Sequence, residues 1–354
     1  MTRSTRWLSG LTMAFALGMT GCGDSPDTAD MTDEELAAAR EPTTWRFALE
    51  EVDGSVQDAY AQEFKRRIAE ASDGDINVEV YPYGSLGTSS QITELLQNGA
   101  IELGFASAGH LGDIIPEVGA FTLHFLLSED EEVNRQVLAD ERLHSLLSGP
   151  FSDEDLHLLS MVQEGWMVWS GNKELRSPED FKDFRIRTMT SPILVESYKA
   201  YGANPTPTPY SEVYSGLQLG QIDGQVNPIF AIEEMSFYEE QDVLTSARHE
   251  QFIAAVVAGH GWYNRLPQEQ RDMVDQVRDD MVEWIDKEQI RYNEERLQRI
   301  LDAGGTEYVE LTEAERDVFR EASRDVRNIY LEDTGDVGQE ILDLIAALIE
   351  EYEG

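Results

Sequence analysis

The chain has 354 residues, too many for one ordinary core and enough for two lobes. Its 69 Asp and Glu residues against 27 Lys and Arg give a formal charge of −42, which repels nucleic-acid phosphates and anionic lipid and so argues against a role on either. The only cysteine, Cys22, leaves no partner for a disulfide or a cysteine-based zinc site within the chain, and the six histidines never fall at a local metal-ligand spacing.

Arg3 and Arg6 form a basic start, and Trp7 to Gly21 is an apolar stretch too short to span a bilayer. It ends Met19-Thr20-Gly21-Cys22, and small residues just before a cysteine resemble a bacterial lipobox, with Met where Leu is commoner. The expectation is a lipoprotein signal peptide over 1–21, with Cys22 acylated as the first mature residue. The alternative is an ordinary secretory signal with an incidental cysteine. Residues 22–42 are acidic, lack aromatics, and read as a flexible tether. Together these predict a protein on the periplasmic or cell-surface side of the cytoplasmic membrane, touching it through a lipid anchor only.

The mature chain opens with alternation at Trp45–Leu49, a strand. Val56, Tyr60, Phe64 and Ile68 predict a helix over Val56–Ala71, and Ile76–Tyr81 alternates again. Asp73-Gly74-Asp75-Ile76-Asn77 faintly suggests a calcium loop but lacks its sixth-place Gly and twelfth-place Glu, so it reads as a turn. Gln91–Gln97 is a helix stopped by Asn98-Gly99. The β-α-β-α-β order implies α/β layers with parallel pairing. Leu96-Gln97-Asn98-Gly99-Ala100-Ile101-Glu102-Leu103-Gly104 is echoed by Leu217-Gln218-Leu219-Gly220-Gln221-Ile222-Asp223-Gly224. Each copy reads as a helix end, a left-handed glycine cap and a short strand ending at glycine, which suggests two similar lobes facing one cleft.

A second lobe begins near Met161, with a strand at Met167–Trp169 and an N-cap at Ser177 before Pro178. A short strand follows at Phe184–Arg187 and a helix at Leu194–Tyr201. Asn204–Pro209 holds three prolines and must be extended. A helix covers Glu212–Leu219, and a long one runs from Pro267 to Arg299 with Met273, Val277, Met281, Trp284 and Ile285 on one face. Thr312 with Glu315 forms a capping box, and Gln339–Tyr352 is a last amphipathic helix.

Enzyme signatures for phosphate, dinucleotide, serine and zinc chemistry are missing from the sequence. The expectation is therefore no catalytic residue, no metal and no cofactor. The acidity is spread along the whole chain and reads as a solubility adaptation, as in proteins that work in concentrated salt. Against it, any anion site must be a local basic island. Arg185 and Arg187, on one face of a strand, are such an island, and arginine clamps a carboxylate with two hydrogen bonds. Two surface arginines paired with acids such as Asp183 are the alternative.

Beyond local chemistry, the segments Ser177–Phe181, Ile186–Thr190, Tyr198–Pro207, Ser211–Tyr214, Ile222–Pro228 and Tyr81–Gly87 closely resemble the DctP-type solute-binding subunits of TRAP transporters. Trp45-Arg46-Phe47-Ala48, Glu50-Glu51 and Arg187-Thr188-Met189-Thr190 are most similar to the ectoine-binding kind. The resemblance implies an α/β, two-lobe periplasmic-binding-protein-like fold of TRAP type, with crossing strands and a long backing helix. Lobe I would be 43–165 plus about 253–295, and lobe II 166–252 plus about 296–354 with the C-terminal helices.

It implies an extracytoplasmic subunit that closes on a small carboxylate-bearing solute, an ectoine-like zwitterion or an organic acid. Its partners would be the small and large TRAP membrane subunits, which take up the solute on an ion gradient. A binder of C4-dicarboxylates or other monocarboxylates, or a receptor for a sensory partner, is the alternative. The family's clamp arginine falls on Arg187, with Arg185 at a neighbouring variable position, and its cleft asparagine falls on Asn227. Val226 stands where a Glu is usual, and Met167 where many anion-binding relatives have a second arginine. The glutamate facing a ligand's cationic end falls on Glu51, and the surrounding aromatic box on His110, Tyr210 and Phe252. Trp166 is a further candidate, with packing as its other reading, just as helix capping is for Glu51.

Overall fold

Short-range chemistry fixes the first helix. Val56, Tyr60, Phe64 and Ile68 are all buried along helix α1, Val56–Ala71, and Ser55 caps it by accepting the Asp58 N–H at 3.1 Å. The protein is described here over residues 42–354 of a computed structural model. The predicted signal peptide, most of the tether and the Cys22 anchor lie outside the described residues.

The strands are β1 (Thr43–Ala48), β2 (Ile76–Tyr81), β3 (Leu103–Ser107), β4 (Leu156–Gly171), β5 (Arg185–Thr188), β6 (Asn204–Pro207), β7 (Gly224–Pro228), β8 (Val243–Gly259) and β9 (Glu307–Glu310). They make one sheet in the order β2-β1-β3-β8-β4-β7-β5-β6, with β9 added to β8. The order reads alike from both ends. Each half has three parallel strands, the third of which pairs antiparallel with a long strand. The two long strands, β8 and β4, then pair antiparallel with each other and join the halves. This is the two-lobe α/β arrangement with crossing strands.

The other helices used below are α2 (Ser89–Gln97), α3 (Glu131–Ala139), α4 (Glu141–Asp153), α5 (Pro192–Ala200), α6 (Val213–Gln218), α7 (Ile229–Glu234), α8 (Gln268–Ala303), α9 (Glu313–Ser323) and α10 (Val326–Glu353). Helix α8 backs the sheet through Val274, Val277, Met281 and Ile285, while Met273 and Trp284 are half-buried at its flanks. Helix α10 is broken at Gly335, whose φ of 58° is non-helical. Its Ile341, Ile345 and Leu348 share an apolar cluster with Val133 of α3 and Leu143 and Leu147 of α4. The last helix therefore packs against α3 and α4 of the first half.

The sequence echo corresponds to equivalent places. Helices α2 and α6 are followed by Gly99 and Gly220, with φ of +72° and +64°. In each, the glycine N–H reaches the Leu carbonyl three back (Leu96 at 3.1 Å, Leu217 at 3.0 Å), and the next N–H reaches five back at 2.8 Å. The strands that follow do not end at glycine, however. Gly104 is the second residue of β3 and Gly224 the first of β7. A Cβ on Gly224 would lie 2.0 Å from the Ser170 carbonyl oxygen of β4, so close strand approach, and not a strand end, requires glycine there.

Candidate ligand-binding site

The carboxyl ends of β1, β3, β5 and β7 converge on one cavity, whose empty space, counted together with that open to solvent at its mouth, is about 360 Å³. Its lining includes Glu50 and Glu51 after β1, Ser107 and His110 at the end of β3, Arg187 and Met189 at β5, and Asn227 at β7. Tyr210 and Phe252 close it with their rings. Contacts across it tie the two halves together. The Ser191 N–H donates to the Gly109 carbonyl at 2.8 Å, and Tyr83 packs edge-on against Tyr210 with ring centres 5.7 Å apart.

Arg187 is 1% exposed. Its Nε donates to the Thr208 carbonyl at 2.9 Å, and its Nη2 has no partner among the described residues. No described carboxylate lies within ion-pair distance of it. Burial pulls its pKa down to about 10, the expected response of a guanidinium removed from water without a counter-ion.

Asn227 donates to Gln225 Oε1, Gln225 donates to Ser170 Oγ at 3.1 Å, and Ser170 donates to Gln241 at 2.7 Å. This buried chain sets the asparagine's orientation from behind the sheet. Tyr210 lines the cavity, and its hydroxyl donates to the Ala231 carbonyl at 3.2 Å and Glu234 Oε1 at 3.1 Å.

The opposite wall is acidic. Glu51 is buried, and its Oε2 accepts the Gln57 N–H at 3.0 Å, in the first turn of α1. It thus lines the cavity and also caps a helix. Burial first, and then the neighbouring Glu164 carboxyl, push its pKa well up. Glu164, fully buried on β4, is likewise pushed up by burial and accepts from Gln57 Nε2 at 3.3 Å. Glu50 accepts the Ser107 N–H at 2.7 Å, and burial raises it to about 7. Glu234 is pushed up by burial and by Glu51. His110 has Nδ1 at 2.8 Å from Ser107 Oγ and 3.6 Å from Glu50 Oε1, and burial with the Arg187 charge lowers it to about 3, so the ring is neutral.

Of the residues proposed from sequence, Arg187, Asn227, Glu51, Tyr210, Phe252 and His110 meet at this cavity. Arg185 does not. It faces the same side of β5 as Arg187 but sits at the strand's far end, exposed, where it pairs with Asp223 and donates to the Gly220 and Gln221 carbonyls. Trp166 also stands outside it, with its indole N–H on Glu131 Oε1 at 2.9 Å. Glu164 and Glu234 were not foreseen, because 113 residues of sequence (164 − 51) and 183 (234 − 51) separate them from Glu51. Ser107 had a local signal, three residues before His110 at a strand end.

The model of bacterial extracellular solute-binding protein family 7 matches residues 47–333. The chain is 37% identical over 314 residues to the ectoine-binding periplasmic protein TeaA of Halomonas elongata, covering 88% of this chain and 92% of that one. A solved structure of that ectoine-binding protein superposes with a TM-score of 0.84, at 36% identity over 87% of this chain and 99% of that one. The ectoine/5-hydroxyectoine-binding periplasmic protein UehA of Ruegeria pomeroyi is 36% identical over 306 residues, 86% of this chain and 90% of that one. An apo open structure of a TRAP periplasmic solute-binding protein from Marinobacter aquaeolei is 48% identical, with a TM-score of 0.82, over 86% of this chain and 99% of that one.

Proposed function

We propose that this chain, which belongs to bacterial extracellular solute-binding protein family 7 and is a solute-binding subunit of a TRAP transporter, takes a small zwitterion of the ectoine type. It is not an enzyme. The observation that carries the ligand reading is Arg187: a buried guanidinium that, among the described residues, has an unpartnered nitrogen and no carboxylate in ion-pair reach, lining a cavity whose other wall holds buried carboxyls. A ligand carboxylate supplies the missing counter-ion in two charge-assisted hydrogen bonds. The cationic end then faces Glu51, where Tyr210 and Phe252 add cation–π contact of about 0.5–2 kcal/mol. A second ligand carboxylate would have to lie beside Glu50 and Glu51, with no second arginine to meet it, because Met167 is buried in β4 at the place where relatives often carry one.

In this reading the solute is held by rotation of two lobes, 43–165 plus about 253–295 and 166–252 plus about 296–354 with the C-terminal helices, about the crossing strands. The loaded protein delivers its solute to a small and a large membrane subunit. It waits at the outer face of the cytoplasmic membrane on a lipid at Cys22, a reading supported by the lipobox-like Met19-Thr20-Gly21-Cys22. Among the described residues no helix is long and apolar enough to cross a membrane. The acidic surface suits concentrated salt.

Calorimetry with ectoine, a simple monocarboxylate and succinate, on wild type and Glu51→Gln, tests the ligand reading. Wild type should prefer ectoine to succinate by at least about tenfold, and the variant should narrow that ratio, since a ligand cation draws Glu51 into its ionised form and pairs with it while a second ligand carboxylate gains no counter-charge, a difference of more than about 1.4 kcal/mol. Tight succinate binding that ignores the substitution would sink it.

A further inference from the structure

Away from the cavity, three side chains from two elements meet in the interior. His124 follows the short 3-10 helix Pro116–Thr122, and His249 and Glu250 are adjacent on β8. One ligand atom from each lies within 4.8 Å of the other two. All three side chains are buried, and His124 Nε2, His249 Nδ1 and Glu250 Oε2 have no hydrogen-bond partner among the described residues. Three polar atoms left bare at one point are costly, because each has given up its bonds to water for nothing. No Lys or Arg among the described residues is paired with Glu250, and its pKa is driven well up by burial alone.

We propose that His124, His249 and Glu250 hold one divalent transition-metal ion of the zinc type. Two imidazoles and a carboxylate are an established ligand set for zinc, leaving a fourth position. His124 Nε2 and Glu250 Oε2 are 3.6 Å apart, close to the roughly 3.3 Å edge of a tetrahedron built on zinc–ligand bonds of 2.0–2.1 Å. The remaining ring nitrogens already have outer partners, as metal-bound histidines require. His124 Nδ1 is 2.6 Å from the Tyr201 hydroxyl, and His249 Nε2 is 3.2 Å from that of Tyr198, which also accepts the Trp169 indole N–H at 3.0 Å.

The scaffold around the three residues is fixed. Trp169, Phe181, Tyr198, Tyr201 and Phe319 pack around the rings. Next to His124, Phe125 takes a φ of 57°, which is strained for an aromatic residue, and its N–H is tied to the His249 carbonyl at 2.6 Å. A metal here staples the segment 122–125 of the first half to the crossing strand β8, beside helix α5 of the second half. Sequence spacing misses the set because His124 and His249 are brought together only by the fold.

Because the site is closed, the ion must enter during folding. The mature full-length protein is unfolded with a chelator, refolded with Co²⁺ or Zn²⁺, and passed through gel filtration. Wild type should retain about one metal per chain and melt higher than protein refolded without metal. With cobalt it should show the intense visible absorption of a low-coordinate, nitrogen-ligated ion, which exposed carboxylates do not give. His249→Gln and Glu250→Gln should each lose the retained metal and the absorption. Wild type holding below about a tenth of an equivalent overturns the proposal whatever the variants do, and points instead to a protonated Glu250 bonded to His124. A folded variant that keeps the full absorption overturns it as well.

Discussion

At the carboxyl end of β1 stand Glu50 and Glu51; at the equivalent end of β5, counted from the other edge of the sheet, stands Arg187. The backbone plan of the two halves is the same, yet one wall of the cavity is acidic and the other basic. The difference lies in how each connection starts its next helix. In the first half the α1 terminus is satisfied by Ser55 and by the Glu51 carboxylate. In the second, Thr188-Met189-Thr190-Ser191 carries no acid, and the Ser191 hydroxyl caps α5 by accepting the Leu194 N–H at 3.4 Å. A serine cap leaves Arg187 without a neutralising neighbour. A repeated fold thus acquires a polar axis through its capping residues, and that axis matches a solute with unlike ends.

The largest effect expected on that axis comes from removing its basic end. Arg187→Ala should weaken binding of ectoine by about 2–5 kcal/mol, because the buried ligand carboxylate then has no partner. Arg187→Lys should recover only part of this, since the ammonium loses the planar fork. Isothermal calorimetry on both variants measures it. Near-normal affinity in both would move the clamp elsewhere and leave the two halves without the proposed division of charge.

The acidic end carries a smaller and pH-dependent signature. Glu50 is raised from 4.5 to about 7 by burial, against its bonds to Ser107 and Ser89. The folded state therefore holds a proton that the unfolded state has lost between these values. Its contribution to stability is full below about 4.5 and disappears as pH rises through about 7. A shift of this size corresponds to at most about 3 kcal/mol. Glu50→Gln keeps the shape and removes the titration. Urea unfolding at pH 5 and 7.5 without ligand should show the variant gaining on wild type at the higher pH. His110, lowered to about 3, acts with the opposite sign, losing stability as pH falls below 6.5, but it is present in both proteins and cancels from the comparison unless the two groups are strongly coupled.

The legibility of the two halves in the sequence follows the range of the interactions. Helix Val56–Ala71 and strand Ile76–Tyr81 were readable to the residue, because one face of each is buried and their caps are local. The N-cap at Ser177 and the capping box at Thr312 were equally plain. Strand β8 was not assigned. Sixteen of its 17 residues are buried, Arg248 being the exception, so it shows no alternation to read. At the site, strand periodicity placed Arg185 and Arg187 on one face correctly, but it carries no information about which end of a four-residue strand meets the cavity. The resemblance pointed to Arg187, Asn227 and Glu51. Glu164 and Glu234 come from other elements and reach the surroundings of Glu51 only through the fold, which no local pattern reports.

The smallest effect asks whether the two halves are equivalent where they bear no charge. Gly99 and Gly220 close α2 and α6 with the same pair of hydrogen bonds, both are exposed, and a Cβ on either would meet nothing within 4 Å. Alanine at these positions therefore brings no clash, only the left-handed backbone that an L-residue resists by roughly 1–2 kcal/mol. Gly99→Ala and Gly220→Ala should each lose about that much in urea unfolding, and by similar amounts. Asparagine, which tolerates this region better, should lose less at both. Ligand affinity should stay unchanged, since neither residue lines the cavity. A loss at one glycine and not the other would mean that the matched sequence stretches perform different tasks, and the equivalence of the halves would then rest on strand order alone.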